Sequence, residues 1–227
     1  MGTLLKWSLV AFVAIAAWDL SGLDLAMARW GGSVHGFPLR EHWLFSSVLH
    51  GGARRLSWVI ALAICIGVWW PAGVLRRLST SQRAQLALTT LVAAGAVSLV
   101  KSFSMTSCPS DLEIFGGFAR YVSHWAAIAD GGSGHCFPAG HASAGFALMG
   151  GYFAFAGQAP ALADRWLMAS LAAGMVLGLA QQARGAHFMS HTLWSGFVCW
   201  CVALGIHALM ELWRARASGL VQAGGAR

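Results

Sequence analysis

Residues 192–213, TLWSGFVCWCVALGIHALMELW, are apolar almost from end to end. A helix needs about 20 such residues to cross the hydrocarbon core of a bilayer, so this run reads as a membrane span. Working outward toward the N-terminus, five more runs have the same character: 4–28, with Asp19 and Asp24 in its second half, then 56–74, 84–103, the shorter 142–157, and 166–183. The apolar stretch after Lys6 leads into Trp18 and Asp19 rather than into a small-residue cleavage site, so it reads as a retained span and not a signal peptide. The expected fold is all-α: a polytopic membrane helix bundle of about six transmembrane helices, with residues 1–227 as a single membrane domain.

The composition agrees. Of 227 residues, 57% are hydrophobic and 10% are Asp, Glu, Lys or Arg, against about 25% charged residues in a soluble domain. With Gly 28, Trp 12 and Pro 5, the chain is not disordered, collagen-like or a coiled coil, and it does not resemble a soluble enzyme. The formal charge is +7. Several Arg residues sit at the ends of apolar runs, a placement that suits membrane topology and anionic lipid. No alternation of aromatic and basic residues suggests base stacking, so the expected environment is the lipid bilayer and not nucleic acid. Oligomeric state is not legible.

Six spans place both termini on one side, with Lys6, Arg76, Arg77, Arg83, Arg165, Arg214, Arg216 and Arg227. Arg29, Arg40, Arg54, Arg55, Lys101, Arg120 and Arg184 lie on the other. So even a division does not orient the chain by the positive-inside rule; because Lys101 and Arg184 can be kept for chemistry, the expectation leans to cytoplasmic termini. The second side carries the segments 29–55, 104–141 and 184–191, and with them His35, His42, His50, His124, His135, His141, His187 and His191, leaving His207 in the last span. Ionisable residues gathered at one membrane face mark a functional site by default. His35, His42 and His50, among Trp30 and Trp43, read instead as interfacial anchors. Cys65, Cys199 and Cys201 fall within spans and read as buried thiols. Cys108 and Cys136 share one loop, where an oxidising compartment would join them and a reducing one would leave them free.

Three segments carry chemistry: KSFSMTSCP (101–109), CFPAGH (136–141) and RGAHFMSH (184–191). The six-span reading puts all three at one face. Lys101 is a fixed cation. Pro138-Ala139-Gly140-His141 opens a helix, whose N-terminus offers free amides and the positive dipole end, and Gly140 lets backbone approach a ligand closely. Arg184 carries a planar fork suited to phosphate. His187 and His191, four apart, share a helical face. Cations, free amides and two or three His describe phosphoryl transfer through a nucleophilic histidine, with a second histidine protonating the leaving oxygen. No metal or cofactor is required.

In order and spacing, these segments resemble the signature of the type 2 phosphatidic acid phosphatase superfamily, the integral-membrane lipid phosphate phosphatases: Lys-x6-Arg-Pro, Pro-Ser-Gly-His, and Ser-Arg-x5-His-x3-Asp. The likeness covers the six-span layout and, in detail, residues 84–213. It is most specific in Phe137-Pro-Ala-Gly-His141-Ala-Ser and in Gly185-Ala-His187-Phe. The resemblance implies His187 as nucleophile, His141 as general acid, and Lys101 with the Ala139–Gly140 backbone holding phosphate. It also exposes departures. Cys108 stands in place of the first Arg, Ala139 of Ser, Ala180-Gln181 of Ser-Arg, and His191 of Asp. Arg184, on the same face as Gln181, can supply the missing cation. His191 can orient His187 but brings no negative charge, which leaves Asp19, Asp24, Asp111, Glu113 or Asp130 to provide one. A second register, with His191 as nucleophile and Arg184 as the signature Arg, is one residue too long.

The resemblance thus implies hydrolysis of a lipid phosphomonoester or pyrophosphate of the phosphatidic acid, phosphatidylglycerol phosphate, polyprenyl (pyro)phosphate or lipid A class, in a bacterial inner membrane with the site facing the periplasm. Alternatives are a lipid phosphotransferase using the same intermediate, a non-catalytic lipid-binding relative, and a membrane protein whose histidines hold metal or haem.

Overall fold

The computed structural model describes residues 2–126 and 128–224, with side chains through residue 216; Arg227, counted above among the terminal charges, lies outside them. Among the described residues the secondary structure is helical, apart from two isolated bridges, Ser33–Gly36 and Leu112–Ala119. The helices are α1 (Gly2–Leu20), α2 (Leu23–Gly31), α3 (Ala53–Ile66, preceded by a π-helical lead-in Leu44–Gly52), α4 (Thr80–Ser102), α5 (Gly140–Phe146), α6 (Gly150–Phe155), α7 (Pro160–Ala183) and α8 (Met189–Gly224). Five stretches are long and apolar enough to cross a membrane: Gly2–Leu20, Leu44–Ile66, Thr80–Ser102, Pro160–Ala183 and Met189–Arg216. The chain is an all-α polytopic bundle.

The helices differ from the expected runs in ways that have local causes. The run 4–28 is split, because Gly22 adopts the left-handed conformation (φ 72°) and separates α1 from α2. The run 56–74 is displaced toward the N-terminus. Its helix begins at Leu44 and stops at Ile66, before Gly67 and the Trp70-Pro71 step, where a residue preceding proline disfavours helix. The run 142–157 is the broken unit α5–α6, helical from 140 to 155 through a 3-10 turn at Ala147–Met149. It is about 24 Å long at 1.5 Å per residue, and most of it is buried.

Packing explains why so short a unit holds its place. A Cβ added at Gly145 would lie 2.3 Å from the Gly174 nitrogen, so α5 and α7 touch backbone to backbone; small residues at helix crossings allow this approach. Ala93, Val97, Ala142, Phe146, Met149 and Cys199 then fill the core between α4, α5 and α8. A capping box of Ser79 and Gln82 opens α4, and Lys101 lies in its last turn, where a cation complements the helix dipole. On α1, Phe12 packs on Trp194 and Phe197, and Ser8 accepts a hydrogen bond from Trp200 Nε1 at 2.7 Å. The outward faces of α1 and α3 leave Trp7, Leu9, Val13, Trp58, Val59 and Leu62 exposed, as a lipid-facing surface requires.

Candidate active site

At one end of the bundle meet the last turns of α1, α4 and α7 and the first turns of α5 and α8, roofed by the loop 103–139. Local geometry places the donors. α7 closes in a Schellman motif: Gly185 (φ 69°) donates to Gln182 O at 2.9 Å, and Ala186 donates to Gln181 O at 2.8 Å. This turn swings Arg184 and His187 back toward Gln181. Across from it the Cys108–Cys136 disulfide, with Cα atoms 5.2 Å apart, pins the loop. Deeper in the loop, Asp130 accepts hydrogen bonds from the Ser107 amide and hydroxyl and from the Gly132 amide.

The result is a cleft of about 260 Å³ lined by Lys101, Cys108, His141, Gln181, Arg184 and His187, together with Arg40, His50, Ser110, Asp111 and Ala186. Five residues singled out from three distant segments, with Gln181, therefore share one cavity. Arg184 is held by two contacts, Nε to the Arg40 carbonyl at 2.9 Å and Nη1 to Gln181 Oε1 at 3.2 Å. The helical spacing between Gln181 and Arg184 thus becomes a direct bond. Gly140 lies beside Lys101, since a Cβ there would be 3.9 Å from Nζ.

His187 is 4% exposed, and its Nδ1 lies 3.5 Å from His191 Nδ1 and 3.5 Å from the Cys136 sulfur. With Nδ1 turned inward, Nε2 is the nitrogen left for the cleft. Burial, and then the nearby His191, Lys101 and His141, hold the His187 imidazolium well below its ordinary range, so the ring is neutral. His191 is 2% exposed and lies behind His187, outside the cleft lining. That arrangement puts His187, and not His191, on the cleft wall.

One expectation is corrected. The Ala139 amide does not point at the cleft. It donates to the His191 carbonyl at 3.1 Å, and the Ala139 carbonyl accepts from Ser195 Oγ at 2.9 Å. Ala139 is the N-cap of α5 in extended conformation, so its N–H precedes the helix's free amides and is used to tie α5 to α8 instead. Of the residues read as anchors, His50 belongs to the cleft, its ring stacked on His141 with centroids 4.0 Å apart. Arg40 and His50 carried no local motif; only the approach of the π-helical lead-in to α7 brings them in. On the cleft wall the buried His141 Nε2 has no hydrogen-bond partner in the protein, while the His50 and Gln181 side chains lie within reach of each other. Among the described residues, the cluster with metal-ligand spacing is Cys108, Cys136 and His187, whose two sulfurs are joined to each other.

A second cavity, of about 450 Å³, runs from the cleft along the bundle between α3, α4 and α5. Trp58, Ala61, Leu91, Ala94, Gly95 and Leu148 make it largely apolar, and Lys101 and His141 line it as well as the cleft.

No curated protein and no solved structure matches the chain significantly. Residues 83–215, from the start of α4 to the end of the described side chains of α8, match the PAP2 superfamily. The family carries phosphatase and related phosphoryl-transfer chemistry on lipid-like substrates, in keeping with a membrane-embedded cleft of Lys, Arg and His. An integral membrane protein with this site, matched over more than half its length, belongs to the PAP2 superfamily.

Proposed function

We propose that the protein is a lipid phosphate phosphatase that hydrolyses a phosphomonoester or pyrophosphate at the membrane surface through a phosphohistidine. The observation that carries this reading is the shared wall of the two cavities. Lys101 and His141 border both the polar cleft with His187 and the apolar groove along α3, α4 and α5. A phosphate head fits the first and a hydrocarbon chain the second. Mostly apolar concavities with a few convergent polar groups are what small-molecule sites look like.

In the first step, neutral His187 attacks phosphorus through Nε2. An N–P bond forms as the bond to the leaving oxygen breaks, and His141, charged by a proton it takes up as the phosphate dianion binds beside it, delivers that proton to the leaving oxygen. Water then attacks the phosphohistidine, His141 takes its proton, and inorganic phosphate leaves with His187 restored. Lys101 and Arg184 face the phosphoryl oxygens; because Gln181 and the Arg40 carbonyl already hold two guanidinium N–H groups, Arg184 is oriented before substrate arrives, which is the basis of electrostatic catalysis. The unpartnered Nε2 of His141 suits an oxyanion, since buried polar groups left unpaired are costly and rare. The site is read as facing the periplasm of a bacterial inner membrane, where the Cys108–Cys136 disulfide would persist.

The test is phosphate release by the detergent-purified protein, with EDTA, from phosphatidic acid, phosphatidylglycerol phosphate, a polyprenyl pyrophosphate and lipid A. His187→Ala and His191→Ala would run beside it. The expected result is EDTA-resistant release that vanishes in His187→Ala. Full activity in His187→Ala, or release lost only in His191→Ala, would overturn the assignment. Release that appears only when an acceptor lipid is added would identify a phosphotransferase.

A further inference from the structure

Resting on the reading of His187 as nucleophile, we propose that His124, held by Asp19, is a positioning residue for His191, and that the chain His187–His191–His124–Asp19 replaces the carboxylate that the resemblance expects beside the nucleophile.

The other acids are accounted for. Asp24 accepts from the Ser190 amide and hydroxyl and from Trp18 Nε1. Asp130 serves Ser107 and Gly132. Asp111 lies at the cleft wall near the Ser110 and Ser133 hydroxyls, and Glu113 is exposed. Asp19 instead meets His124, Oδ2 to Nε2 at 3.0 Å, with both side chains less than one-tenth exposed. The same oxygen accepts Trp125 Nε1 at 2.7 Å and Trp194 Nε1 at 3.1 Å, so three donors fix it.

His124 is thereby fixed in two directions. Its ring is bound to Asp19 at one edge and lies flat on Phe137, with centroids 3.9 Å apart at 12°. It then stands perpendicular to the His191 ring, 5.4 Å away at 89°. Phe137 and Phe188 close on His191 in the same edge-to-face manner, at 5.3 and 5.4 Å. Three rings thus confine the His191 imidazole with Nδ1 toward His187. His191 and His124 also share a small polar cavity of about 10 Å³ with Asp24 and Asp130, whose carboxylates are held by Ser190 and Trp18 and by Ser107 and Gly132; it is close to the size that admits one water. As positive charge develops on His187 during attack, His191 Nδ1 at 3.5 Å and the Cys136 backbone, which holds both rings, receive it, and the Asp19 charge stabilises the far end of the chain. The elements involved are α1, the loop 103–139 and α8.

The experiment measures kcat and KM for Asp19→Asn, Asp19→Glu and His124→Phe, alone and in a His191→Ala background. Imidazole 15N spectra of histidine-labelled protein in detergent are recorded for wild type and Asp19→Asn. Asp19→Asn and His124→Phe should each lower kcat by roughly tenfold, the scale of coupling between contacting residues, with KM nearly unchanged; Asp19→Glu should recover most of it. Neither loss should persist once His191 is Ala, because residues acting as one unit are not additive. Asp19→Asn should also move the His191 and His187 resonances. An equal loss of kcat in the His191→Ala background, or a lowered melting temperature with kcat intact, would overturn the proposal. Wild-type protein without turnover would sink the phosphatase reading instead, and the spectra would then decide the chain alone: unmoved resonances would refute it.

Discussion

His187 combines near-complete burial with a neutral ring. An unburied imidazole titrates at about 6.5, and only the uncharged form can attack phosphorus. Desolvation, followed by His191, Lys101 and His141, lowers the pKa of His187, so in the proposed role of nucleophile it stays competent below pH 6.5. The acid limb of kcat/KM is therefore expected well below 6.5, and a limb at or above 6.5 would contradict the assignment. Linkage gives the same sign for stability. The unfolded chain binds this proton as pH falls past 6.5 and the folded chain does not, so the stability present above 6.5 is lost as pH drops through the lower folded value. Thermal melts across that range should fall more steeply in wild type than in His187→Gln.

At the level of elements, the site depends on where α5 and the loop 103–139 are held. A side chain at Gly145 would place its Cβ 2.3 Å from the Gly174 nitrogen of α7. Gly145→Leu should force the helices apart and cost about 1–3 kcal/mol, the usual penalty of overpacking. Because His141 rides on the same short helix, turnover per folded molecule should fall as well; a melting curve beside a phosphate-release assay checks both. The disulfide spans 28 positions. In the chain-entropy account, closing a loop of that size stabilises by about 3–4 kcal/mol. A dithiol reductant, or Cys108→Ser with Cys136→Ser, should lower the melting temperature, and unchanged melting on reduction would argue against the bond.

At the scale of the molecule, helices of opposite direction meet at one end to make the cleft, which requires the 67–79 connection to lie at the opposite end from the 103–139 loop. Single cysteines at Arg76 and at Ser133, in a chain lacking exposed Cys201, should react with an impermeant maleimide from opposite sides of a sealed membrane. Labelling of both from one side would refute the crossing of the membrane by α4. The groove between α3, α4 and α5 makes a separate prediction. Gly95 has open space where a Cβ would go, so Gly95→Trp can enter the groove without colliding with the core. It should raise KM for a long-chain lipid phosphate several-fold while leaving a short-chain substrate nearly unaffected, the consequence of losing apolar contact at ~25 cal/mol per Å². Equal effects on both substrates would remove the groove from the account.

The helical membrane bundle was legible in the sequence because apolar runs of span length have few other fates. Lys101, His141, Arg184 and His187 were legible because each lies in a short segment whose residue types already make chemical sense together. Helix boundaries were less so. The break at Gly22 and the π-helical start at Leu44 depend on backbone conformations that composition does not encode, and residues 44–55 look polar enough to be loop. The tertiary structure alone decided the placement of His50, Ala139, His124 and Asp19. His50 reaches the cleft from some 90 residues before His141, Ala139 loses its amide to α8, and Asp19 meets His124 across 105 positions. Contacts at such separations arise from how helices pack, and helix packing depends on the shape of every side chain along the interface. The sequence by itself therefore determined the bundle and gathered Lys, Arg and His at one of its ends, while only the folded molecule brought His50 to the cleft, tied Ala139 to α8 and set Asp19 against His124.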